Sequence, residues 1–132
     1  MKKIGIVGSR RRDDEEDFKQ CEKVFLLNYE EGDELISGGC PKGGDRFCEI
    51  IARKYGIPIK IYHANWKKFG KRAGFIRNTN IAEDSDIIIA VVASDRTGGT
   101  EDTLRKASLL NKKIILVESP PEISIEIPDI PE

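Results

Sequence analysis

The chain has few of the residues that most often build metal centres and disulfide frameworks. Its 132 residues include one histidine, His63, and three cysteines, Cys21, Cys40 and Cys48, with no Cys-x-x-Cys pair. Without clustered Cys and His ligands no metal site is expected, and unpaired thiols suit a reducing compartment. No apolar run reaches the ~20 residues of a membrane-spanning helix, and Met1-Lys2-Lys3 leads directly into a strand-like run. We therefore expect a cytoplasmic protein that does not associate with a membrane.

The chain also has no excess of positive charge. Its 22 Lys and Arg are balanced by 23 Asp and Glu, for a formal net charge of −1. A nucleic acid backbone is usually held by an uncompensated stripe of Lys and Arg, so the charge balance argues against nucleic acid as the main partner. A local basic pocket is still compatible with it. The 39% hydrophobic and 34% charged residues are typical of one globular domain.

Short apolar runs alternate with amphipathic segments along the whole chain. This βαβαβαβαβ order predicts an α/β fold, a doubly wound and mainly parallel sheet of about five strands with helices on both faces. The domain is predicted over residues 1–118, and a Pro-rich extended C-terminal tail over 119–132, which holds four of the six prolines. The predicted strands are 3–7, 34–37, 57–62, 86–93 and 113–117, and the predicted helices run from about 18 to Gly32, 46–55, about 75–84 and 100–111.

Glycine-rich turns follow three of these strands. They are Gly8-Ser9-Arg10 after the first strand, Ser37-Gly38-Gly39 and Lys42-Gly43-Gly44-Asp45 after the second, and Thr97-Gly98-Gly99-Thr100 after the fourth. The carboxyl ends of parallel strands meet at one edge, where backbone N–H groups and helix N-termini attract phosphate. The second turn matches neither the Walker A loop nor the GxGxxG pattern. We predict a site for a phosphorylated, nucleotide-like ligand at this edge.

Two arginines beside these turns are the strongest side-chain candidates. Arg10 offers a planar guanidinium suited to phosphate, whereas Arg11 and Arg12 are interpreted as part of a solvated charge cluster. Arg77, followed by Asn78, falls near a predicted helix start, where the helix dipole favours acids. This position favours a bound anion near Arg77. A surface ion pair with residue 83 or 84, both acidic, is the alternative.

Three acidic residues have a structural and a functional interpretation each. Asp45 could accept hydrogen bonds from ribose hydroxyls, cap its helix, or do both. Glu101 and Asp102 suit the first turn of a helix that Thr100 would cap, but either could act as a general base or hold a ribose.

Trp66 could stack on a base or pack under a loop. Cys21 and Cys48 are expected to be buried thiols.

Taken together, these segments resemble the SLOG superfamily, which includes the lonely-guy phosphoribohydrolases, the molybdenum-cofactor carrier proteins and DprA/Smf. The YspA-like branch is the most similar. Its pattern combines a Gly-x-Arg turn, a Gly-Gly-x-x-x-Gly-x-Asp turn, a Trp-x-x-x-Gly-Lys-x-Ala-Gly-x-x-Arg-Asn segment and a Gly-Thr helix start. These stand here at Gly8-Ser9-Arg10, Gly38–Asp45, Trp66–Asn78 and Gly99-Thr100.

The resemblance implies a single Rossmann-like nucleotide-binding domain, often assembled as a homo-oligomer. In the phosphoribohydrolases an Arg and a Glu cleave the N-glycosidic bond of nucleoside monophosphates. Arg77 matches that Arg, and Asp102 stands where the Glu is expected. Two departures favour binding over catalysis. Asp102 is one methylene shorter than Glu, and Asp95-Arg96-Thr97-Gly98-Gly99-Thr100 replaces the Pro-Gly-Gly-x-Gly-Thr phosphate loop.

The leading hypothesis is a sensor or carrier that binds a nucleotide or nucleotide-derived ligand, needs no further cofactor or metal, and forms homo-oligomers. The alternative is a nucleoside 5′-monophosphate phosphoribohydrolase that uses Arg77 with Asp102 or Glu101; DprA-like DNA binding comes third. The predicted ligand-binding residues are Gly8, Ser9, Arg10, Ser37, Gly38, Gly39, Lys42, Gly43, Asp45, Arg77, Asn78, Thr97, Gly98, Gly99 and Thr100.

Overall fold

A computed structural model describes residues 1–119 and shows a five-stranded, all-parallel sheet in the order β3-β2-β1-β4-β5. The predicted α/β fold with helices on both faces is confirmed. The predicted tail lies outside the described residues, except for Ser119. The strands are β1 (Lys3–Gly8), β2 (Glu34–Ser37), β3 (Ile59–Ile61), β4 (Ile87–Val91) and β5 (Lys113–Val117). The helices are α1 (Glu15–Asn28), α2 (Gly44–Tyr55), α3 (Trp66–Phe69), α4 (Ala73–Asp84) and α5 (Gly99–Leu109), with a 3-10 turn at Gly70–Arg72.

The two central strands, β1 and β4, are covered on both faces. They pair in parallel from Ile4 opposite Ile87 to Gly8 opposite Val91, and every residue of β4 is buried. A strand buried on both sides must be apolar at each position rather than at alternate positions. The uninterrupted apolar sequence of β4 therefore places it at the centre of the sheet.

Two hydrophobic layers hold the helices against the sheet. On one face, Phe25 of α1 and Phe47 of α2 pack with Ile6 and other strand residues. On the other face, Ile81 of α4 and Leu104 of α5 pack with their own set of strand side chains. Burying one such side chain contributes about 1.5–3 kcal/mol. The helices therefore lie as two pairs, α1 with α2 and α4 with α5, on opposite faces.

The two thiols expected in the core are there. Cys21 and Cys48 are both fully buried in the layer beneath α1 and α2. Burial raises the pKa of Cys21 to about 12 and raises the pKa of Cys48 as well. Thiols held in the protonated form are poor nucleophiles, so these two residues pack as small apolar groups.

Several element ends differ from the predicted ones. Helix α1 ends at Asn28 rather than at Gly32, which lies in the turn before β2 with φ +95°. Helix α4 begins at Ala73 because a 3-10 turn leads directly into it. Helix α5 has Gly98 as its N-cap, so Thr100 lies in its first turn and does not cap it. Strand β3 is also shorter than predicted.

The connections reverse direction between β1 and β4. After β1 the chain passes through α1 to β2, and after β4 it passes through α5 to β5 on the other side of the sheet. The loops that leave these two neighbouring strands therefore diverge and open a crevice at their carboxyl ends. In residues 1–119 no helix is long and apolar enough to span a membrane.

Candidate functional site

A pocket of about 300 Å³ lies at the carboxyl ends of β1 and β4. This is the topological switch point of the sheet, where ligands bind in open α/β folds. Loops after three strands and one face of α4 contribute to its walls. The described residues that line it are Val7, Gly8, Ser9, Arg10, Arg11, Cys40, Asp45, Arg77, Asn78, Ile81, Thr97, Gly98, Gly99, Thr100 and Thr103.

The turn after β1 contributes Gly8, Ser9 and Arg10, all three predicted ligand-binding residues, to the pocket wall. The Ser9 N–H donates to the Val91 carbonyl at 2.9 Å, which fixes this turn beside the end of β4. The hydroxyl oxygen of Ser9 accepts the Arg11 N–H at 3.2 Å, and the Ser9 hydroxyl proton remains available to a ligand. Arg10 is exposed and forms no ion pair or side-chain hydrogen bond within residues 1–119.

The next two arginines have separate roles. Arg12 is buried and pairs with Asp17. It also donates to the carbonyl of Val92, just after β4, and to that of Val117, the last residue of β5. It is a structural residue and not part of a solvated cluster. Arg11 lines the pocket and holds Asp95 through two hydrogen bonds of 2.7 Å each.

The Arg11–Asp95 pair joins the loop after β1 to the loop after β4. Arg11 also donates to the hydroxyl of Thr97 at 2.9 Å, and Arg11 keeps the pKa of Asp95 well below its ordinary value. Both members are about half exposed, so water and salt weaken the attraction. The pair therefore orients the two loops more than it stabilises the fold.

The N-terminus of α5 forms the opposite wall. Thr97, Gly98, Gly99 and Thr100 all line the pocket. The N–H groups of Gly98, Gly99 and Thr100 donate to no protein atom within the described chain, whereas the Glu101 N–H bonds to the Gly98 carbonyl at 3.2 Å. No atom lies within 4 Å of a Cβ built on Gly98 or Gly99. These unpaired donors, at the positive end of an 11-residue helix, form a ready anion site.

Arg77 and Asn78 bring helix α4 to the same pocket. Because α4 begins at Ala73, Arg77 lies in its second turn rather than near its first residue. Arg77 donates from Nη1 to the Gly38 carbonyl at 2.6 Å and from Nε to the Asn78 side-chain oxygen at 3.0 Å. It forms no ion pair with Glu83 or Asp84, so the alternative of a surface ion pair is not what the structure shows.

The second glycine turn contributes less to the pocket than predicted, since only Cys40 and Asp45 of this segment line it. Asp45 is buried and accepts the Cys40 N–H at 3.1 Å, so its carboxylate braces the loop instead of capping its own helix. Burial raises the pKa of Asp45 above its ordinary value, although the Cys40 N–H and the charge of Arg77 act in the opposite direction. Asp45 is a hydrogen-bond acceptor within a basic pocket.

Five predicted ligand residues in this segment do not line the pocket. The Ser37 hydroxyl donates to the Asp45 carbonyl at 3.3 Å. The Gly38 carbonyl accepts from Arg77, and a Cβ on Gly39 would lie 2.8 Å from Nδ1 of His63. The remaining two are Lys42, which is exposed, and Gly43, which is buried.

Gly43 and Gly44 have a different use from anion binding. The Gly43 N–H donates to Oδ1 of Asp13 at 2.7 Å, and the same oxygen accepts from Arg46 at 2.7 Å. A Cβ on Gly44 would overlap the backbone of Val7 and Gly8. The N-terminus of α2 therefore has an internal carboxylate and lies directly against β1.

The carboxylates considered as catalytic groups are both paired and neither lines the pocket. Glu101 accepts two hydrogen bonds of 2.9 Å from Arg96. Asp102 is paired with Arg105 at 2.7 Å and with Lys106 at 2.9 Å. A general base must lie within hydrogen-bond reach of the proton that it abstracts, and neither carboxylate is among the residues that line the pocket.

Neither a protein-family model nor a curated protein matches the chain. In structure the chain is similar to the molybdenum cofactor binding protein of the phototrophic bacterium Rippkaea orientalis. The TM-score is 0.66 at 22% sequence identity, over 90% of this chain and 77% of that chain. This likeness shows a shared fold.

Sequence reasoning did not single out some of the lining residues. Ile81 and Thr103 follow Arg77 and Gly99 by one helical turn each, so helical spacing alone could have identified them once the register was known. Val7 ends the apolar run of β1. Trp66, by contrast, is 57% exposed, does not line the pocket, and lies 3.3 Å from where a Cβ on Gly74 would be.

Proposed function

We propose that the chain binds a nucleotide or nucleotide-derived ligand at the carboxyl edge of its sheet, as a carrier or a sensor. The observation that supports this proposal is one pocket at the switch point that combines the unpaired N–H groups of α5 with three arginines. A phosphate group suits both kinds of donor. The buried acceptor Asp45 suits a hydroxyl-bearing part of the same ligand, such as a ribose.

We further propose that the relatives of this chain are the SLOG proteins, with the YspA-like branch the most similar. The motif residues that line the pocket support this, because Gly8, Arg10, Asp45, Arg77 and Thr100 belong to four separate motifs. The fold shared with a molybdenum cofactor binding protein is compatible with it. A cytoplasmic location and a homo-oligomeric assembly are part of the same proposal.

Isothermal titration calorimetry of the full chain tests the binding proposal. The panel is AMP, ADP-ribose, NAD, cyclic nucleotides and, because the structural neighbour is named for it, the molybdenum cofactor. We expect at least one ligand to bind. Arg10→Ala and Arg77→Ala should each lower the affinity for that ligand by about tenfold or more, the effect of losing one charged hydrogen bond.

Arg53→Ala is the matched control, because Arg53 is an exposed arginine on α2 outside the pocket lining. Its affinity should equal that of the unaltered chain. Silence across the panel would overturn the proposal, and so would equal losses in all three arginine variants, since the latter would indicate a nonspecific effect of net charge.

A further inference from the structure

The carboxylate of Asp102 is held more firmly than a surface residue of a helix first turn requires. Its side chain is only 8% exposed and accepts from Arg105 Nη2 at 2.7 Å, from Lys106 Nζ at 2.9 Å and from Asn78 Nδ2 at 3.1 Å. Burial alone would raise the pKa of Asp102, but the hydrogen bonds from these three donors outweigh it and keep the pKa below its ordinary value. The group is an anion at neutral pH.

Asn78 joins this anion to the pocket. Its side-chain nitrogen donates to Asp102 and to the Gly99 carbonyl at 3.3 Å, and its side-chain oxygen accepts from Nε of Arg77 at 3.0 Å. The reversed amide would set a carbonyl oxygen against Asp102 and an NH₂ group against Arg77 Nε, losing both bonds. Asp102, together with the Gly99 carbonyl, therefore favours the amide orientation in which the Asn78 oxygen faces Arg77.

The Arg77 guanidinium is fixed at two points by this arrangement. Nε is held by Asn78 and Nη1 by the Gly38 carbonyl at 2.6 Å, while Nη2 has no hydrogen-bond partner within residues 1–119. A Cβ on Gly38 would lie 2.9 Å from Nη1, so the close approach depends on glycine there. The result is an oriented arginine in the pocket wall with one nitrogen left to donate.

We propose that Asp102 is a positioning residue of this site, which acts through Asn78 to hold the Arg77 guanidinium ready for an anionic group of the ligand. The role in ligand binding rests on the proposed function, whereas the hydrogen-bond geometry does not depend on it. This arrangement gives Asp102 a role that does not require contact with the ligand. The series of hydrogen bonds from Asp102 through Asn78 to Arg77, and from Arg77 to the Gly38 carbonyl, links helix α5 to the loop after β2.

Hydrogen exchange at Nε of Arg77 tests the positioning without any ligand. The ¹H–¹⁵N signal of this group is assigned by its loss in Arg77→Lys. Asp102→Asn should speed its exchange with water by about tenfold, the effect of weakening one hydrogen bond by ~1.4 kcal/mol. Asn78→Ala should do the same, because it removes the group bonded directly to Nε. If Asp102→Asn folds poorly, Asp102→Ser takes its place.

Glu101→Gln is the control for charge, because it removes the neighbouring acid of the same helix turn, which is bonded to Arg96. It should leave the Arg77 signal unchanged. Unchanged exchange in folded Asp102→Asn would overturn the proposal, whatever the result for Asn78→Ala.

Calorimetry with AMP as the probe separates this inference from the proposed function. Asp102→Asn should lower the affinity for AMP by about tenfold in the otherwise unaltered chain but by less than about twofold in an Arg77→Ala background. The effects of two substitutions that act through one contact are not additive. Equal losses in both backgrounds would overturn the positioning role. Absence of AMP binding together with the expected exchange result would support the positioning and count against AMP as ligand.

Discussion

At the scale of single residues, Asp45 stands out because the fold buries its carboxylate without an ion-pair partner among the described residues. Its pKa lies above the ordinary value of 3.8, chiefly because burial penalises the charged form. Residues that cost stability in this way are concentrated at functional sites. In this chain the residue lines the pocket, beside Arg77.

Asp45→Asn should raise the free energy of unfolding at pH 7 and weaken ligand binding. A carboxyl group whose pKa is raised by folding favours the folded state below the unfolded pKa, and this contribution is lost as the pH rises through the folded pKa. The advantage of the variant should therefore grow from about pH 3 to pH 7. Urea unfolding at the two pH values measures it; a less stable variant at pH 7 would contradict the prediction.

The predicted ligand-binding residues that line the pocket lie in local motifs; besides Asp45, Arg77 and Asn78, they belong to two turns. Gly8, Ser9 and Arg10 follow a strand directly, and Thr97–Thr100 precede a helix, so their positions follow from the order of elements. Arg11 was misjudged because its partner, Asp95, is 84 positions away along the chain. Such a pairing depends on the strand order, which one sequence does not reveal.

At the scale of elements, the junction between α2 and β1 depends on close backbone contact. A side chain at Gly44 would overlap the backbone of Val7 and Gly8. The glycine repeat at 43–44 was interpreted from sequence as an anion-binding turn. Glycine permits both a free N–H surface and close packing, and spacing alone could not separate the two.

Gly44→Ala should destabilise the protein by about 3 kcal/mol or more, because the new methyl group meets backbone that cannot rotate away. Gly99→Ala is the matched control in the first turn of α5, where nothing lies within 4 Å of the added Cβ. Its stability should change by less than about 1 kcal/mol. Urea unfolding measures both, and equal effects would contradict the packing role of Gly44.

Asp13 should stabilise the same junction in a pH-dependent way. The Gly43 N–H, together with Arg46 and against the opposing effect of burial, keeps the pKa of Asp13 below 3.8. Its contribution is therefore present above the unfolded pKa and lost as the pH falls through the folded pKa. Asp13→Ala should cost about 1–3 kcal/mol at pH 7 and less in acid. A cost independent of pH would contradict this.

At the scale of the whole molecule, the doubly wound sheet was predictable because its pattern is strong. The apolar run of β4 and the alternation of strands with amphipathic segments determine the architecture. Helix ends were less predictable, since α1 stops four residues before Gly32, and a 3-10 turn extends α4 towards its N-terminus. Local turn geometry determines those ends, and apolar spacing does not report it.

The domain boundary predicted near residue 118 can be tested by truncation. Among the described residues, one hydrophobic layer extends to Val117 and the other to Ile114. A chain ending at Ser119 should therefore unfold in one cooperative transition, with a midpoint temperature within about 5 °C of the full chain. Circular dichroism and thermal unfolding measure this. Loss of the cooperative transition would show that residues 120–132 belong to the domain.

The carboxylate of Asp13 at the start of α2 also bears on stoichiometry. The N-terminus of α2 lies against β1, and the N-terminus of α5 follows β4. Asp13 occupies the first with a tethered charge, held by both Gly43 and Arg46. An incoming anion would have to compete there with a group at very high effective concentration. Within residues 1–119, the N-terminus of α5 is therefore the vacant one of these two, and we expect one phosphate-bearing molecule per chain to saturate it.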